Sequence, residues 1–296
     1  MTHSYDCSIV IPLKNGEKYI EEALNSCIQQ ETQYDFEIIV CNDGSNDNSL
    51  NLVKKFIDTY PEFSLRLINS PKSGIVEALN FGIENANSQI ILRFDQDDLM
   101  SVARIQTQVK FMNSNPGVVL AGSQIKIFGE RSIRDQRKYL YPETNEKILR
   151  KIPFANCFAH PAVAFRKDIF KSVGGYRPGT DGCEDYDLWL RMVCAGETVN
   201  LHQQLTAYRL HFGQHSYNYK SGILLKKVNS LFKALFSTRK ASQDDKGIYS
   251  VNNLSNLLLF TSIFLHLCKI AYVFFKDFLF KTFGKRSREF RQKIKS

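Results

Sequence analysis

Short apolar runs alternate with amphipathic helical periods over the first hundred residues of this 296-residue chain. Apolar runs bounded by turn residues, the pattern of buried parallel strands, cover residues 7–13, 36–41, 65–68 and 90–94. Apolar residues recur with helical spacing over residues 19–30, 50–60 and 75–86. This β-α-β-α order predicts an α/β protein with a Rossmann-like, mostly parallel open sheet flanked by helices.

Polar residues follow each predicted strand, at residues 12–15, 42–45, 69–74 and 95–98. Ligands of open α/β sheets bind at the carboxyl ends of the strands. The predicted binding edge is therefore polar and acidic. The rest of the chain is less regular, with a predicted helix at 104–113, a strand near 118–127 and a helix at 185–194.

The formal charge of +9 is concentrated at the carboxyl end of the chain. Residues 220–296 contain 16 Lys and Arg against 4 Asp and Glu, whereas residues 1–219 contain 23 against 26. A slightly acidic body argues against nucleic acid as a partner, because binding a phosphate backbone needs a basic surface. The basic tail is also rich in Phe and Leu, which favours an anionic membrane surface as its partner.

Residues 257–275 are almost long enough to span a bilayer of roughly 30 Å, but Lys269 lies within them. A crossing from the cytoplasm would carry the basic cluster at 281–295 outside, against the positive-inside tendency. We therefore expect a C-terminal helical extension that associates with the membrane, as an in-plane or re-entrant amphipathic helix with its basic end on anionic lipid. The alternative is a helix pair packed on the amino-terminal domain or on a second subunit.

The seven cysteines are scattered without a C-x-x-C pair, and their number is odd. Neither a disulfide framework nor a zinc site is indicated, which favours a reducing compartment. The amino terminus enters a strand-like run without the pattern of a signal peptide. We expect the protein to be peripheral, on the cytoplasmic face of the membrane.

Three carboxylates fall within the four residues Asp95-Gln96-Asp97-Asp98, directly after an apolar strand. Like charges this close repel unless a cation neutralises them. Hard oxygen ligands suit Mg²⁺ or Mn²⁺ better than zinc, so the segment is a candidate divalent-metal site. The alternative is a solvated acidic turn in which Asp98 caps the next helix.

Asp43 follows the second strand and precedes a Gly-Ser turn that lets the backbone come close to a ligand. A carboxylate in this place is able to accept the N–H of a uracil or thymine ring, which indicates a nucleotide with one of these bases. The alternative is that Asp43 serves only the turn or a helix cap.

Five ordered sequence blocks resemble the family 2 glycosyltransferases with the GT-A fold: SIVIPLKNGEKYIEEALNSCIQQ, EIIVCNDGSNDNS, SGIVEALNFGI, ILRFDQDDLM and CEDYDLWLRM. They fall within roughly the first 215 residues. The resemblance implies a bacterial inner-membrane enzyme of surface-polysaccharide or lipopolysaccharide assembly. Such an enzyme moves a hexose, with inversion, from a nucleotide-sugar donor to a glycan or lipid-linked glycan acceptor.

With this resemblance the chain divides into a catalytic domain at 1–219, a connecting helix and linker at 220–246 and a membrane-associating tail at 247–296. Within the catalytic domain, residues 1–100 form the nucleotide-sugar-binding half and residues 101–219 the acceptor-side half. Most family members have two adjacent acids where this chain has Asn42-Asp43. Because an amide and an acid share acceptor geometry, we expect the chain still to bind the nucleotide of its donor.

The resemblance also implies roles for single residues. Asp97 is expected to ligate Mn²⁺ or Mg²⁺, with Asp95 on the metal or the donor ribose, and Asp185 is expected to be the general base, assisted by Glu184. The other residues expected at the site are Pro12, Leu13, Glu17, Asp43, Lys72 and Gly74 around the donor, and His160, Arg166 and Tyr176 on the acceptor side. The stretch expected to return beneath the diphosphate contains Arg209, His211, His215 and Ser216.

Structural alternatives exist for the acceptor-side residues. Glu184 and Asp185 open a predicted helix, where acids are favoured by free N–H groups and the helix dipole. A lone histidine such as His160 is more often structural. Two other functions stay open: a non-catalytic nucleotide-sugar or glycan-binding protein of the same fold, and a nucleotidyltransferase, although the glycine-rich phosphate loop of the latter is missing.

Overall fold

The structure is a computed structural model that describes residues 5–129 and 140–211, all within the unit Met1–Lys220. The segment at 220–246, the tail at 247–296, His215 and Ser216 lie outside the described residues. In the two described ranges, no helix combines the length and the apolar character needed to cross a bilayer.

Strands and helices alternate through the first half of the chain, as predicted. In chain order the first elements are β1 Cys7–Leu13, α1 Ile20–Ile28, β2 Phe36–Asn42, α2 Ser49–Thr59, β3 Leu65–Asn69, α3 Ile75–Glu84 and β4 Ile90–Arg93. They are followed by β5 Leu99–Met100, α4 Arg104–Ser114, β6 Val118–Gly129, α5 Asn145–Lys151, a 3₁₀ turn His160–Ala162, β7 Ala164–Arg166, α6 Lys167–Ser172, α7 Glu184–Met192 and β8 Glu197–Leu210. The strands and helices predicted in the first hundred residues are confirmed to within two residues at each end.

The strands form one sheet in the order β3-β2-β1-β4-β7-β6-β8-β5. The neighbours β3, β2, β1 and β4 are parallel, so their carboxyl ends meet at one edge. The short β7 runs antiparallel to both β4 and β6, and β8 runs parallel to β6. The predicted parallel sheet is therefore confirmed in the first half, whereas the second half is mixed.

Helices cover the parallel strands on both faces. β1 is buried along its whole length, as expected for such a strand. On α1, apolar side chains spaced three and four residues apart share one face, which packs into the core: Ile20, Ala23, Leu24 and Cys27. On α3, a Cβ added at Gly82 would lie 2.7 Å from Val10 on β1, so glycine allows this helix its close approach to the sheet.

A fully buried arginine joins the two halves of the sheet. Arg104, at the start of α4, donates to the carbonyl oxygens of Arg93 at 2.9 Å and Pro161 at 2.6 Å, and to Thr206 Oγ1 at 3.1 Å. One helical turn later, Gln108 Oε1 accepts a further hydrogen bond at 2.9 Å. Burial lowers the pKa of Arg104 to about 9, and the acceptors around it compensate the lost hydration. This network fixes the end of β4 against β8 and the turn before β7.

Candidate active site

Asp43 lies at the carboxyl end of β2, beside the end of β1. Its backbone N–H donates to the carbonyl oxygen of Leu13 at 2.8 Å, and its Oδ1 accepts the N–H of Gly74 at 2.6 Å. Its Oδ2 lies 3.3 Å from Nζ of Lys14, an exposed side chain. Gly74 has a φ of 120°, which L side chains rarely adopt, so glycine lets this loop reach Asp43.

The other residues expected around the donor have differing surroundings. Pro12 and Leu13 are buried at the end of β1, and the Leu13 side chain packs into the hydrophobic core. Glu17 is exposed, and its Oε2 accepts the N–H of Asn48 at 2.9 Å at the start of α2. Lys72 is exposed on the loop before α3. A side-chain contact with a ligand is therefore open to Glu17 and Lys72 but not to Leu13.

The amide of Asn42 is used within the fold. Its Oδ1 accepts the N–H of Ser45 at 2.9 Å, and its Nδ2 donates to Asn69 Oδ1 at 3.0 Å. The second contact joins the carboxyl ends of β2 and β3, and an ionised aspartate has no N–H to make it. Asp43, the next residue, is the carboxylate at this end of β2.

The acidic segment after β4 has three carboxylates with three different partners. Oxygens of Asp95, Asp97 and Asp98 lie within 4.8 Å of one another. Asp97 Oδ2 lies 2.8 Å from Nε2 of His211, which follows β8. Asp98 is fully buried, and its Oδ1 accepts the N–H of Arg209 at 2.8 Å. Asp98 therefore serves the fold, whereas the half-buried Asp95 and Asp97 face the edge.

This cluster carries more negative charge than its protein partners offset. Burial, followed by the charge of Asp95, raises the pKa of Asp97 above its usual value. Burial and the charges of Asp95 and Asp97 raise the pKa of Asp98 further. A divalent cation would relieve this repulsion, and carboxylate oxygens are its preferred ligands. The residues present thus fit the expected metal.

The two acids that open α7 are held by backbone and side-chain donors. Glu184 is buried, and its Oε2 accepts the N–H of Gly182 at 2.6 Å. Burial, followed by the charge of Asp185, raises the pKa of Glu184 to about 7. Asp185 is half-buried, with Oδ1 accepting the N–H of Tyr186 at 2.6 Å and Oδ2 accepting Nδ2 of Asn156 at 2.5 Å.

His160 and Tyr176 form a pair beside these acids. His160 Nε2 lies 2.7 Å from Tyr176 Oη, and the His160 ring packs edge-on against Trp189 of α7 at 5.8 Å. Burial, followed by the charge of Arg93, lowers the pKa of His160 well below its usual range, so the imidazole is neutral near pH 7. Trp189 itself is fully buried.

The acids after β4 and the acids that open α7 interact electrostatically with the same residues. Arg93, buried at the end of β4, pairs with Asp95 at 2.6 Å and lies close enough to Glu184 for their charges to interact. Burial is the main cause of the raised pKa of Tyr176, and the charges of Glu184, Asp185 and Asp95 raise it further. These carboxylates, one after β4 and two on α7, therefore lie in the neighbourhood of Tyr176.

Arg166 is not brought to this edge. It pairs with Ile90 at the amino-terminal end of β4, opposite the carboxyl edge. Its guanidinium donates to the carbonyl oxygens of Val118 at 2.9 Å, Met112 at 2.8 Å and Asn115 at 3.2 Å. The expectation of an acceptor-side role for Arg166 is corrected, because these bonds commit it to joining α4 and β6 to β7.

Sequence reasoning missed three residues of the site: Arg93, Gln96 and Asn156. Gln96 accepts the backbone N–H of Lys14 at 2.8 Å and donates to its carbonyl at 3.0 Å, which joins the acidic segment to the loop after β1. A charged residue inside the apolar run 90–94 was the available signal for Arg93. The sequence carries no comparable signal for Gln96 or Asn156, because their partners are distant in the chain.

We expect Glu184→Gln to change how stability depends on pH. The folded-state pKa of about 7 exceeds the ordinary 4.5, so the native state binds the proton more tightly. The free energy of unfolding then falls as pH rises from 4.5 to about 7 and stays lower above that range. Glutamine does not titrate, so the variant should not show this loss. In urea unfolding, the free energy of unfolding of the variant relative to the parent should rise by roughly 1–3 kcal/mol between pH 4.5 and pH 8.

Glu62 is exposed, so Glu62→Gln is the matched control. Its free energy of unfolding should match that of the parent at both pH values. A constant stability difference between Glu184→Gln and the parent over the whole range would contradict the pKa assigned to Glu184.

A sheet with a parallel half and a mixed half, flanked by helices and lined with acids at its carboxyl edge, is a GT-A-like fold. The family model described as glycosyl transferase family 2 matches residues 8–174, more than half of the chain. The chain therefore belongs to glycosyl transferase family 2, and it is an enzyme of the glycosyltransferase class.

Curated relatives come from bacterial polysaccharide synthesis. The O-antigen biosynthesis glycosyltransferase WbnJ of Escherichia coli is 32% identical over 69% of this chain and 79% of its own length. The amylovoran biosynthesis glycosyltransferase AmsE of Erwinia amylovora is 35% identical over 65% and 71%. The UDP-Gal:alpha-D-GlcNAc-diphosphoundecaprenol beta-1,3-galactosyltransferase of Escherichia coli is 28% identical over 96% and 98%.

Solved structures share the fold at low sequence identity. TarS 1–349 of S. aureus, in complex with UDP-GlcNAc, has a TM-score of 0.62 and 19% identity, over 76% of this chain and 66% of that one. The mannosyltransferase PcManGT of Pyrobaculum calidifontis, in complex with GDP-Man and Mn²⁺, has a TM-score of 0.58 and 18% identity, over 92% and 76%.

Proposed function

We propose that this glycosyltransferase is an inverting enzyme of the hexosyltransferase type that uses a metal-dependent nucleotide-sugar site and Asp185 as its general base. The observation that carries the proposal is that Asp95, which clusters with Asp97, and the two acids Glu184 and Asp185 all act electrostatically on Tyr176. An anionic diphosphate donor needs carboxylates that hold a cation, and a nucleophile that loses a proton needs a carboxylate that accepts it. The two kinds of group have to lie close together.

The donor is a UDP- or dTDP-sugar. Asp43 supplies a carboxylate to the N–H of a uracil or thymine ring, and the exposed Lys14 is free to leave Oδ2 when the base arrives. The galactosyltransferase relative that is matched over 98% of its length has UDP-Gal in its name, and TarS was solved with UDP-GlcNAc. Both observations support a uridine nucleotide.

Asp97 and Asp95 would hold the cofactor, Mn²⁺ or Mg²⁺. Their half-buried oxygens are ligands of the kind that both ions prefer. The fold relative PcManGT was solved in complex with Mn²⁺, which supports this choice. When bound, such a cation neutralises negative charge on a diphosphate.

The transfer step is a single displacement in which Asp185 receives the acceptor's proton. The acceptor oxygen forms its bond to the anomeric carbon on the face opposite the diphosphate. The bond from that carbon to the diphosphate oxygen breaks, and its electron pair leaves with the nucleoside diphosphate. The configuration is therefore inverted. Glu184, bonded to the N–H of Gly182, assists by holding the loop before Asp185 in place.

The acceptor is a glycan or a lipid-linked glycan. The name of the diphosphoundecaprenol galactosyltransferase, which matches 96% of this chain, supports a lipid-linked substrate. The basic tail at 247–296 would hold the enzyme on anionic lipid at the cytoplasmic face of the inner membrane, next to that substrate. The division into 1–219, 220–246 and 247–296 is part of this proposal.

The full-length chain should release nucleoside diphosphate slowly from at least one sugar in a panel of UDP- and dTDP-hexoses with Mn²⁺. EDTA should stop this release, and proton NMR should detect the inverted anomer as the first sugar product. Binding of a nucleotide sugar without any release would identify the non-catalytic binding protein instead. Pyrophosphate release from a nucleoside triphosphate and a sugar 1-phosphate would identify a nucleotidyltransferase.

A further inference from the structure

Asn156 contacts Asp185 from a loop that the family motifs do not include. Its Nδ2 donates to Asp185 Oδ2 at 2.5 Å, and its Oδ1 accepts the N–H of Phe158 at 3.3 Å. The second bond sets the orientation of the amide, because an oxygen is needed where Phe158 donates. The N–H side of Asn156 is therefore directed at the carboxylate.

The loop that carries Asn156 is tied to the helix that carries Asp185. Tyr186 Oη, from the residue after Asp185, donates to the carbonyl oxygen of Ile152 at 2.9 Å. The Phe158 ring packs edge-on against Trp189 of α7 at 5.8 Å. These contacts lie on either side of Asn156 in the chain, so its distance from Asp185 is held by packed groups rather than by an exposed loop.

We infer that Asn156 is a positioning residue that holds the Asp185 carboxylate ionised and oriented toward the acceptor hydroxyl. This inference rests on the proposed function, in which Asp185 is the base. One lone pair of Oδ1 is engaged by the N–H of Tyr186 and one of Oδ2 by Asn156. Because each oxygen of the carboxylate accepts a hydrogen bond from a different donor, the plane of the carboxylate is fixed relative to α7.

The charged and titratable groups around Asp185 come from several elements. Asp185 interacts electrostatically with Glu184 on the same helix and with Tyr176 before it, while Arg93 at the end of β4 and Asp95 after it act on that same tyrosine. Substituting Asn156 leaves all of these groups in the protein. A change in the pH profile of an Asn156 variant then reports on the hydrogen bond to Asp185.

Two substitutions separate positioning from simple packing. Asn156→Asp keeps the size and the acceptor for Phe158, but it places a second carboxylate against Asp185, and the pair then retains a proton to higher pH. Asn156→Ala removes the donor without adding charge. We expect kcat/KM at pH 7 to fall about 10²-fold for Asn156→Asp and about tenfold for Asn156→Ala. In both variants the acidic limb of the pH profile should move up by about one pH unit or more.

The assay is nucleoside diphosphate release by the full-length chain, with water as acceptor and the nucleotide sugar that reacts fastest in the panel. Asn113→Asp adds the same charge at an exposed position of α4 and should leave the profile unchanged. A purely structural role predicts the reverse order, with Asn156→Ala the worse variant and the acidic limb unmoved. That result, or unchanged kinetics in both variants, overturns the inference.

Failure of the proposed function would look different. If Asp185→Asn keeps full activity, or if the parent releases no nucleoside diphosphate, the base assignment or the enzyme assignment is lost. If the parent is active and Asp185→Asn is not, while both Asn156 variants behave like the parent, only the role of Asn156 is lost.

Discussion

Asp185→Asn lowers turnover by about 10²–10⁴-fold and leaves nucleotide-sugar binding nearly intact, because an amide has no basic lone pair for the acceptor proton. The substitution keeps the shape of the side chain and its oxygen for the N–H of Tyr186, which Asp185 now accepts at 2.6 Å. The measurement is single-turnover nucleoside diphosphate release, with donor affinity determined by calorimetry. Binding and chemistry are then separated in the same protein.

A carboxylate in the first turn of another helix provides the control. Asp168 on α6 is exposed, and it accepts the N–H of the residue after it at 2.8 Å, as Asp185 does. Asp168→Asn should cost only the interaction of an acid with a helix terminus, about 0.3–1 kcal/mol of stability, and should not change turnover. Equal effects of the two substitutions would show that Asp185 serves the helix and not the reaction.

Asp97→Asn should weaken Mn²⁺ binding and lower metal-dependent turnover by about 10²-fold or more. Replacing a carboxylate by an amide removes a full negative charge from the cluster of Asp95, Asp97 and Asp98. Loss of several kcal/mol of charge stabilisation corresponds to this factor, since each 1.36 kcal/mol is about tenfold in rate. Calorimetric titration with Mn²⁺ in the presence of UDP measures binding, and the release assay measures turnover.

The exposed Asp58 on α2 is a matched control, and Asp58→Asn should leave both measurements unchanged. Asp98 is unsuitable for this purpose, because it is fully buried and accepts the N–H of Arg209 within the fold. Full metal affinity and full turnover in Asp97→Asn would exclude the acidic segment as the metal site.

The parallel half of the sheet was predictable because its signals are local. A strand such as β1, buried along its length, has to be apolar throughout, and residues 7–13 are a nearly continuous apolar run. The helices between the strands carry one apolar stripe each, as on α1. Both patterns depend only on which residues are buried when the chain folds, so a single sequence reveals them.

β8 was not predicted, because it lacks such a local apolar pattern. Much of Glu197–Leu210 is only partly buried, so its sequence has no clear apolar alternation. The strand forms because β6 and β5 offer hydrogen-bonding edges on either side of it. Its end brings Arg209 and His211 to the acidic segment, and His211 is 114 residues from Asp97 in the chain. The sequence offered only the family resemblance as a sign of this arrangement. That resemblance implied that the stretch containing Arg209 and His211 returns beneath a diphosphate.

The sequence by itself determined the parallel strands, the acids that follow them and the acidic start of α7, because burial and turn chemistry act between neighbours in the chain. Only the tertiary structure decided that Asp95 and Asp185 share one edge, that Asn156 bonds Asp185 and that Arg166 lies at the opposite end of β4. Hydrogen bonds and charge interactions depend on distance in space. Those distances exist only once β7 and β8 have paired and Arg104 has joined the two halves of the sheet.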